Sequence, residues 1–226
     1  MKYWFCFFVT ASFYSNGIAQ NISDDAVKEQ LTKQFKPFLS SKETVLDTAA
    51  ADFNKDGLND LALVVEDTSN EEQNRSLIIL SNTQKGFTVA AKSKAAVLCK
   101  TCGGVFGDPY AGISLNKTVL NIYHYGGSNW RWTNNFTFRF QNNQWELIGI
   151  SNDSYFNADD CNGEGVGTAG QNLKEVNFST RKVHIIKTKE TNCKPYLNRW
   201  YTLKSFNKIL LNDFDIDKDY FETLKY

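Results

Sequence analysis

Residues 129–140 read Asn-Trp-Arg-Trp-Thr-Asn-Asn-Phe-Thr-Phe-Arg-Phe, an alternation of large apolar and polar side chains that runs almost unbroken. Successive side chains of an extended strand point to opposite faces, so a period of two belongs to a half-buried β-strand. The pattern places Trp130, Trp132, Phe136, Phe138 and Phe140 on one face, which should be core. Arg131, Thr133, Asn135, Thr137 and Arg139 fall on the other. A helix, with its period of 3.6, would scatter both sets around its circumference. Asn142-Asn143 follows, and these residues tolerate the positive φ of a two-residue hairpin leading into a strand over 144–150.

Other segments repeat the theme. Strands are expected over 45–53 and 60–66, and a hairpin joins 75–82 to 87–92 across Thr83-Gln84-Lys85-Gly86. Residues 113–115 pair with 118–125 across Asn116-Lys117, and 173–178 with 182–188 across Ser179-Thr180-Arg181. Residues 199–204 and 208–211 read as short edge strands before an acidic, partly helical terminus. The one good helix spans 23–35: Ser23 is its N-cap, Asp24 and Asp25 suit the first-turn dipole, and Val27, Leu31 and Phe35 share a face. Pro37 ends it. Short connections make successive strands antiparallel neighbours. The expected fold is mainly β (α+β): an antiparallel β-meander forming a sandwich or strongly bent sheet, with one N-terminal amphipathic helix. No internal repeat supports a solenoid or propeller, and no low-complexity linker divides residues 20–226, which read as a single domain.

The first nineteen residues read differently. Met1-Lys2 is a short positive start, 3–13 is largely apolar, and Gly17-Ile18-Ala19 offers small residues to a signal peptidase. Residues 1–19 are therefore taken as a signal peptide, and the protein as secreted or periplasmic. The apolar run is too short to span a bilayer, which needs about 20 residues, so no membrane insertion is expected. Of five cysteines, Cys99, Cys102, Cys161 and Cys193 follow the signal segment, and in an exported chain four read first as two disulfides. Three connectivities exist; Cys99–Cys102 with Cys161–Cys193 is favoured. A redox-active Cys99-Lys100-Thr101-Cys102 would open a helix, which Gly103-Gly104 and Pro109 forbid, and zinc would want a second close pair.

Acidic and basic residues balance at 25 each, which argues against a nucleic-acid partner. One loop carries metal chemistry. In Asp52-Phe53-Asn54-Lys55-Asp56-Gly57-Leu58-Asn59-Asp60, side-chain oxygens alternate along a tight turn, as a hard cation such as Ca²⁺ requires. An EF-hand is excluded, because its twelfth position is Leu63 and strands flank the loop. The segment resembles the calcium loop of FG-GAP and VCBS repeats, found in integrin-type propellers and many secreted bacterial proteins. The resemblance covers residues 51–65 in a single copy, so it carries the loop and not the propeller. It implies Ca²⁺ held by Asp52, Asn54, Asp56, the carbonyl of Leu58, and Asp60, as a structural ion. Asn157 to Glu164 and Asp213, Asp215, Asp217 and Asp219 are weaker candidates; the second group reads as a solvated strand face.

A second constellation joins Gly103-Gly104-Val105-Phe106-Gly107-Asp108-Pro109-Tyr110 to Tyr123-His124-Tyr125-Gly126-Gly127. Glycines beside aromatic residues suit a groove where sugars stack, and they leave Asp108, Tyr110, Tyr123 and Tyr125 as candidate ligand-binding groups. Catalytic motifs are lacking: His124 and His184 each lie in a strand, and His124 reads as a satisfied, partly buried residue. These features favour a calcium-binding module for a glycan or protein partner over an enzyme. The alternatives are a hydrolase of polysaccharide or cell-wall material, whose paired carboxylates leave no local motif, and an envelope inhibitor or immunity-type protein.

Overall fold

A computed structural model describes residues 24–157, 169–191 and 193–226. The proposed signal segment, Ser23, Cys161 and the acidic stretch from Asp159 to Glu164 lie outside the described residues. Helix α1 (Asp24–Phe35) is followed by strands β1 (Glu43–Ala51), β2 (Asp60–Asp67), β3 (Arg75–Thr83) and β4 (Gly86–Val97). Then come β5 (Tyr110–Asn116), β6 (Val119–Gly127), β7 (Trp130–Gln141), β8 (Gln144–Phe156), β9 (Asn172–Asn177), β10 (Lys182–Thr188) and β11 (Pro195–Thr202). No helix among the described residues is long and apolar enough to cross a membrane.

Two antiparallel meanders result, a four-stranded sheet in the order β1-β2-β3-β4 and a seven-stranded sheet running from β5 to β11. The turns follow local chemistry: Asn142 and Asn143 both adopt positive φ between β7 and β8, as does Lys117 between β5 and β6. The sheets pack face to face. Ala62, Val64, Leu77 and Ile79 of the smaller sheet share one core with Leu120, Ile122, Phe136, Phe138 and Val183 of the larger. The opposite face of the smaller sheet carries Val45, Leu63, Val65, Ile78 and Leu80, covered by Phe35 of α1. β2 and β3 are thus apolar on both sides, and Leu61 to Val65 runs apolar without alternation for that reason. Of the expected helix face, Phe35 is buried, Leu31 is half-buried and Val27 is exposed, because only the last turns of α1 reach the sheet.

Two expectations for elements are corrected. Residues 208–211 form no strand; Leu210 makes a single bridge to Glu146, and the tail continues as two short 3₁₀ turns at Leu211–Asp213 and Tyr220–Thr223. The tail instead plugs one side of the sandwich, with Phe214 centred 4.9 Å from Phe136 and 5.1 Å from Phe138. Its alternating acids therefore do not line a strand. Two of them cap turns, Asp215 accepting from the Asp217 N–H (3.1 Å) and Asp219 from that of Phe221 (2.8 Å), while Asp217 accepts from Asn74 Nδ2 (2.6 Å). Trp130, expected in the core, is 43% exposed, because it lies at the end of β7 beyond the covering layer and packs on Phe156.

Candidate functional site

The acidic loop joins β1 to β2 and is built by its own side chains. Asp52 accepts from the N–H groups of Asp56 (3.1 Å) and Gly57 (2.9 Å), Asn54 Oδ1 from Asp56 N–H (2.9 Å), and Asp56 from Leu58 N–H (2.8 Å). The turn needs positive φ at Lys55 and at Gly57 (87°), where a side chain would be strained. Asp60 behaves differently. It is fully buried, and its two oxygens accept from Phe53 N–H (3.0 Å) and Asn82 N–H (2.8 Å), tying the base of the loop to the end of β3. The donor set fits a hard cation: every candidate is an oxygen, three hang from one turn, and each carboxylate oxygen that accepts one N–H keeps a second lone pair. Among the described residues, no group of three or more His, Cys, Asp or Glu converges at metal distance. Both Asp60 oxygens are engaged with backbone N–H groups at the base of the loop.

The two glycine- and aromatic-rich segments do meet. Gly104 bridges Gly127, Gly127 N–H donates to Gly103 O at 2.8 Å, and Phe106 packs edge-on to Tyr125 at 5.8 Å. The glycines serve chain-on-chain packing. A Cβ on Gly103 would lie 2.3 Å from the Gly107 carbonyl, and one on Gly127 2.0 Å from that of Trp130. This crossing carries the chain from one sheet to the other, and its clamps are internal. The Cys99–Cys102 disulfide forms as expected. Cys193 is also disulfide-bonded, and its expected partner, Cys161, lies outside the described residues.

The four expected ligand-binding residues divide. Asp108 is paired bidentately with the buried Arg75 (2.6 and 2.7 Å), which also holds Glu66. Burial would raise the Asp108 pKa, but the hydrogen bonds and charge of Arg75 hold it below the usual carboxylate value. Tyr110 donates to Asp47 at 2.7 Å; burial, with that bond, keeps its phenol protonated far above the ordinary range. His124 is buried, its Nδ1–H directed at the Asn134 carbonyl (3.1 Å) while Nε2 accepts from Leu98 N–H (3.2 Å). Burial lowers its pKa to about 4. Asp108 and Tyr110 are thus committed to an internal network, whereas Tyr123 and Tyr125 stay exposed on the outer face of the seven-stranded sheet.

A cleft opens elsewhere, where the inner face of that sheet turns polar. Phe136, Ile150 and Val176 lie opposite one another and are buried; the next row is His124, Asn134, Asn152 and Lys174. The apolar cover ends between these two rows. Beyond it lies a cleft of about 380 Å³, bounded by Trp132, Asn134, Asn152, Asn172 and Lys174 of the sheet and by Asp219 of the tail. Oδ1 of Asn152 and of Asn172 is buried without a hydrogen-bond partner. Each such group costs about 1–3 kcal/mol while unpaired, so the cleft carries a standing demand for polar contacts. The residue after Asn152, Asp153, pairs with Thr133 and turns its side chain to the opposite, outer face; burial raises its pKa, and Gln171 donates to its Oδ2 at 2.9 Å.

Comparisons with protein-family models, curated proteins and solved structures found no match for the chain. Of the cleft residues, Trp132 was expected in the core and Asp219 only in an alternating acidic group, and the asparagines and Lys174 were not singled out by sequence reasoning. The signal was present: Asn134 interrupts the apolar face of β7 between Trp132 and Phe136, and Asn152 does the same after Ile150 in β8.

Proposed function

We propose that this chain is an exported glycan-binding β-sandwich domain that takes its ligand in the cleft between Trp132 and the C-terminal tail. The observation that carries the reading is the pair of buried amide oxygens, Asn152 Oδ1 and Asn172 Oδ1, without hydrogen-bond partners at this cleft. An amide offers both donors and an acceptor, which suits the hydroxyls of a sugar, and the Trp132 ring beside it suits the apolar face of a pyranose. Lys174 and Asp219 balance in charge across the opening, which favours a neutral ligand. The cleft lies within the size range of small-ligand sites, about 300–1,000 Å³. Calcium is the proposed structural ion of the Asp52–Asp60 loop, held by Asp52, Asn54, Asp56, the Leu58 carbonyl and Asp60.

The test is affinity electrophoresis in gels containing xylan, mixed-linkage β-glucan or galactomannan. Wild type should be retarded by at least one of these, and an Asn134→Leu/Asn152→Leu double variant should lose about tenfold or more of that affinity. The variant should melt no lower than wild type. At position 152 leucine removes a buried amide oxygen that has no partner, and at position 134 it replaces a half-buried side chain that makes no hydrogen bond among the described residues. A wild type that no polysaccharide retards, or a double variant that binds equally well, would overturn the reading.

A hydrolase is the second reading, favoured by Asp153 and Glu175, two carboxylates that strand register places on the outer face of the same sheet, with the pKa of Asp153 raised by burial and by the charge of Glu175. Release of reducing ends by wild type, lost in Asp153→Asn with binding retained, would select it.

A further inference from the structure

The outer face of the seven-stranded sheet has its own constellation, separated from the cleft by the thickness of the sheet. Strand register aligns Tyr123, Asn135, Ser151, Glu175, His184 and Trp200 in one row across β6 to β11. Beside it, Gly149 sits between Thr137 and Asn177 in the neighbouring row and contributes no side chain. The gap forms a groove of about 320 Å³, bordered by Asn135, Ser151, Glu175, Lys182 and Trp200.

Three features distinguish this groove from an ordinary solvated face. Trp200 is 65% exposed, yet its ring is held parallel to His184, with centroids 4.0 Å apart and planes 2° from parallel. His184 is in turn fixed by Glu175 (3.4 Å) and by Asn198 Oδ1 (2.9 Å). A large apolar ring is thus presented to water with one face already ordered, so little side-chain entropy remains to be lost when a ligand covers the other face. Glu175 is held from its other side by Ser151 Oγ (3.3 Å), which orients a carboxylate toward the groove. The Asn135 side chain makes no hydrogen bond within the described residues, and Lys182 donates only to Thr202 (3.2 Å). One carboxylate and one ammonium leave the groove without net charge.

We propose that this groove is a second carbohydrate site, in which a neutral pyranose stacks on the free face of Trp200 and its hydroxyls meet Glu175, Asn135 and Lys182. The domain then binds glycan on both faces of one sheet. The proposal takes its ligand class from the sugar-binding reading above, but its residues are disjoint from those of the cleft, so each site can fail alone.

The same gels, with polygalacturonate added as an anionic control, decide it. The probes are wild type, Trp200→Ala, the Asn134→Leu/Asn152→Leu double variant, and the triple variant. Removing an exposed ring should leave the melting temperature in place. The double variant should still be retarded by a neutral polysaccharide, and adding Trp200→Ala should weaken that residual binding about tenfold or more. A double variant with no residual retardation overturns the outer site and leaves the cleft standing. Binding lost in Trp200→Ala alone and unchanged in the double variant supports the outer site and removes the cleft. Residual binding unaffected by Trp200→Ala, or seen only with polygalacturonate, overturns the proposal.

Discussion

Replacing Asp60 with alanine separates the two tasks combined in the acidic loop. Asp60 is fully buried, and its carboxylate answers two backbone N–H groups, those of Phe53 at 3.0 Å and Asn82 at 2.8 Å. Alanine leaves both donors without a partner, away from water. At about 1–3 kcal/mol for each orphaned group, the loss centres on about 4 kcal/mol. For a domain of this size each kcal/mol moves the melting temperature by about 2–4 °C, so the midpoint should fall by about 8–16 °C. That loss should appear in chelator as well as in calcium, because the two N–H bonds need no metal. Asp56→Ala makes the contrast: Asp56 is exposed, and its two acceptor bonds, from the Leu58 N–H and from Asn54 Nδ2, stay within the loop. It should melt near wild type in chelator and lose the calcium-dependent rise, which at a hundredfold excess over the dissociation constant is worth about 2.7 kcal/mol. Differential scanning calorimetry of the three proteins with EDTA and with Ca²⁺ measures both effects. Asp60→Ala melting within about 2 °C of wild type in EDTA would refute the anchoring argument. Identical behaviour of wild type and Asp56→Ala under both conditions would remove calcium from the loop.

Asp108→Asn should destabilise the fold by about 2 kcal/mol in urea titration, less than a fully buried pair would lose, because Asp108 is partly exposed and Glu66 still faces Arg75. Polysaccharide retardation should be unchanged; a ligand-binding role would give the opposite pattern. His124 makes stability depend on pH. Its folded pKa is about 4 and its unfolded value near 6.5, so the unfolded chain binds the extra proton between them, and stability is full above about pH 6.5 and declines toward pH 4. The decline attributable to this group is on the order of 3 kcal/mol, read as the difference between wild type and His124→Gln in urea titrations at pH 7 and pH 4.5. A difference that does not vary with pH would refute it.

Much of the β architecture was legible in the chain because its causes are local. The alternation from Trp130 to Phe140, the Asn142-Asn143 turn and the hairpins at 83–86 and 179–181 each specify a strand or a reversal from a few adjacent residues, and the structure contains them all. Short turns between consecutive strands then leave antiparallel meanders as the natural arrangement. The acidic loop was visible for the same reason: its Asx bonds span two to five residues.

What the sequence could not decide depends on which layer covers which row. The same period-two pattern contains Phe136, which is buried, and Trp130, which is not, and only the extent of the opposing sheet and tail distinguishes them. Asp108 carries the composition of a binding residue and became a clamp because Arg75, 33 positions away, was brought beside it. Asn134 and Asn152 look like ordinary strand residues until register sets them side by side at the place where the apolar cover stops. Trp200 becomes a platform only when β10 places His184 beneath it. Local chemistry determined the strands, the turns and the loop; the packing of two sheets and a tail decided which polar groups were left facing an opening.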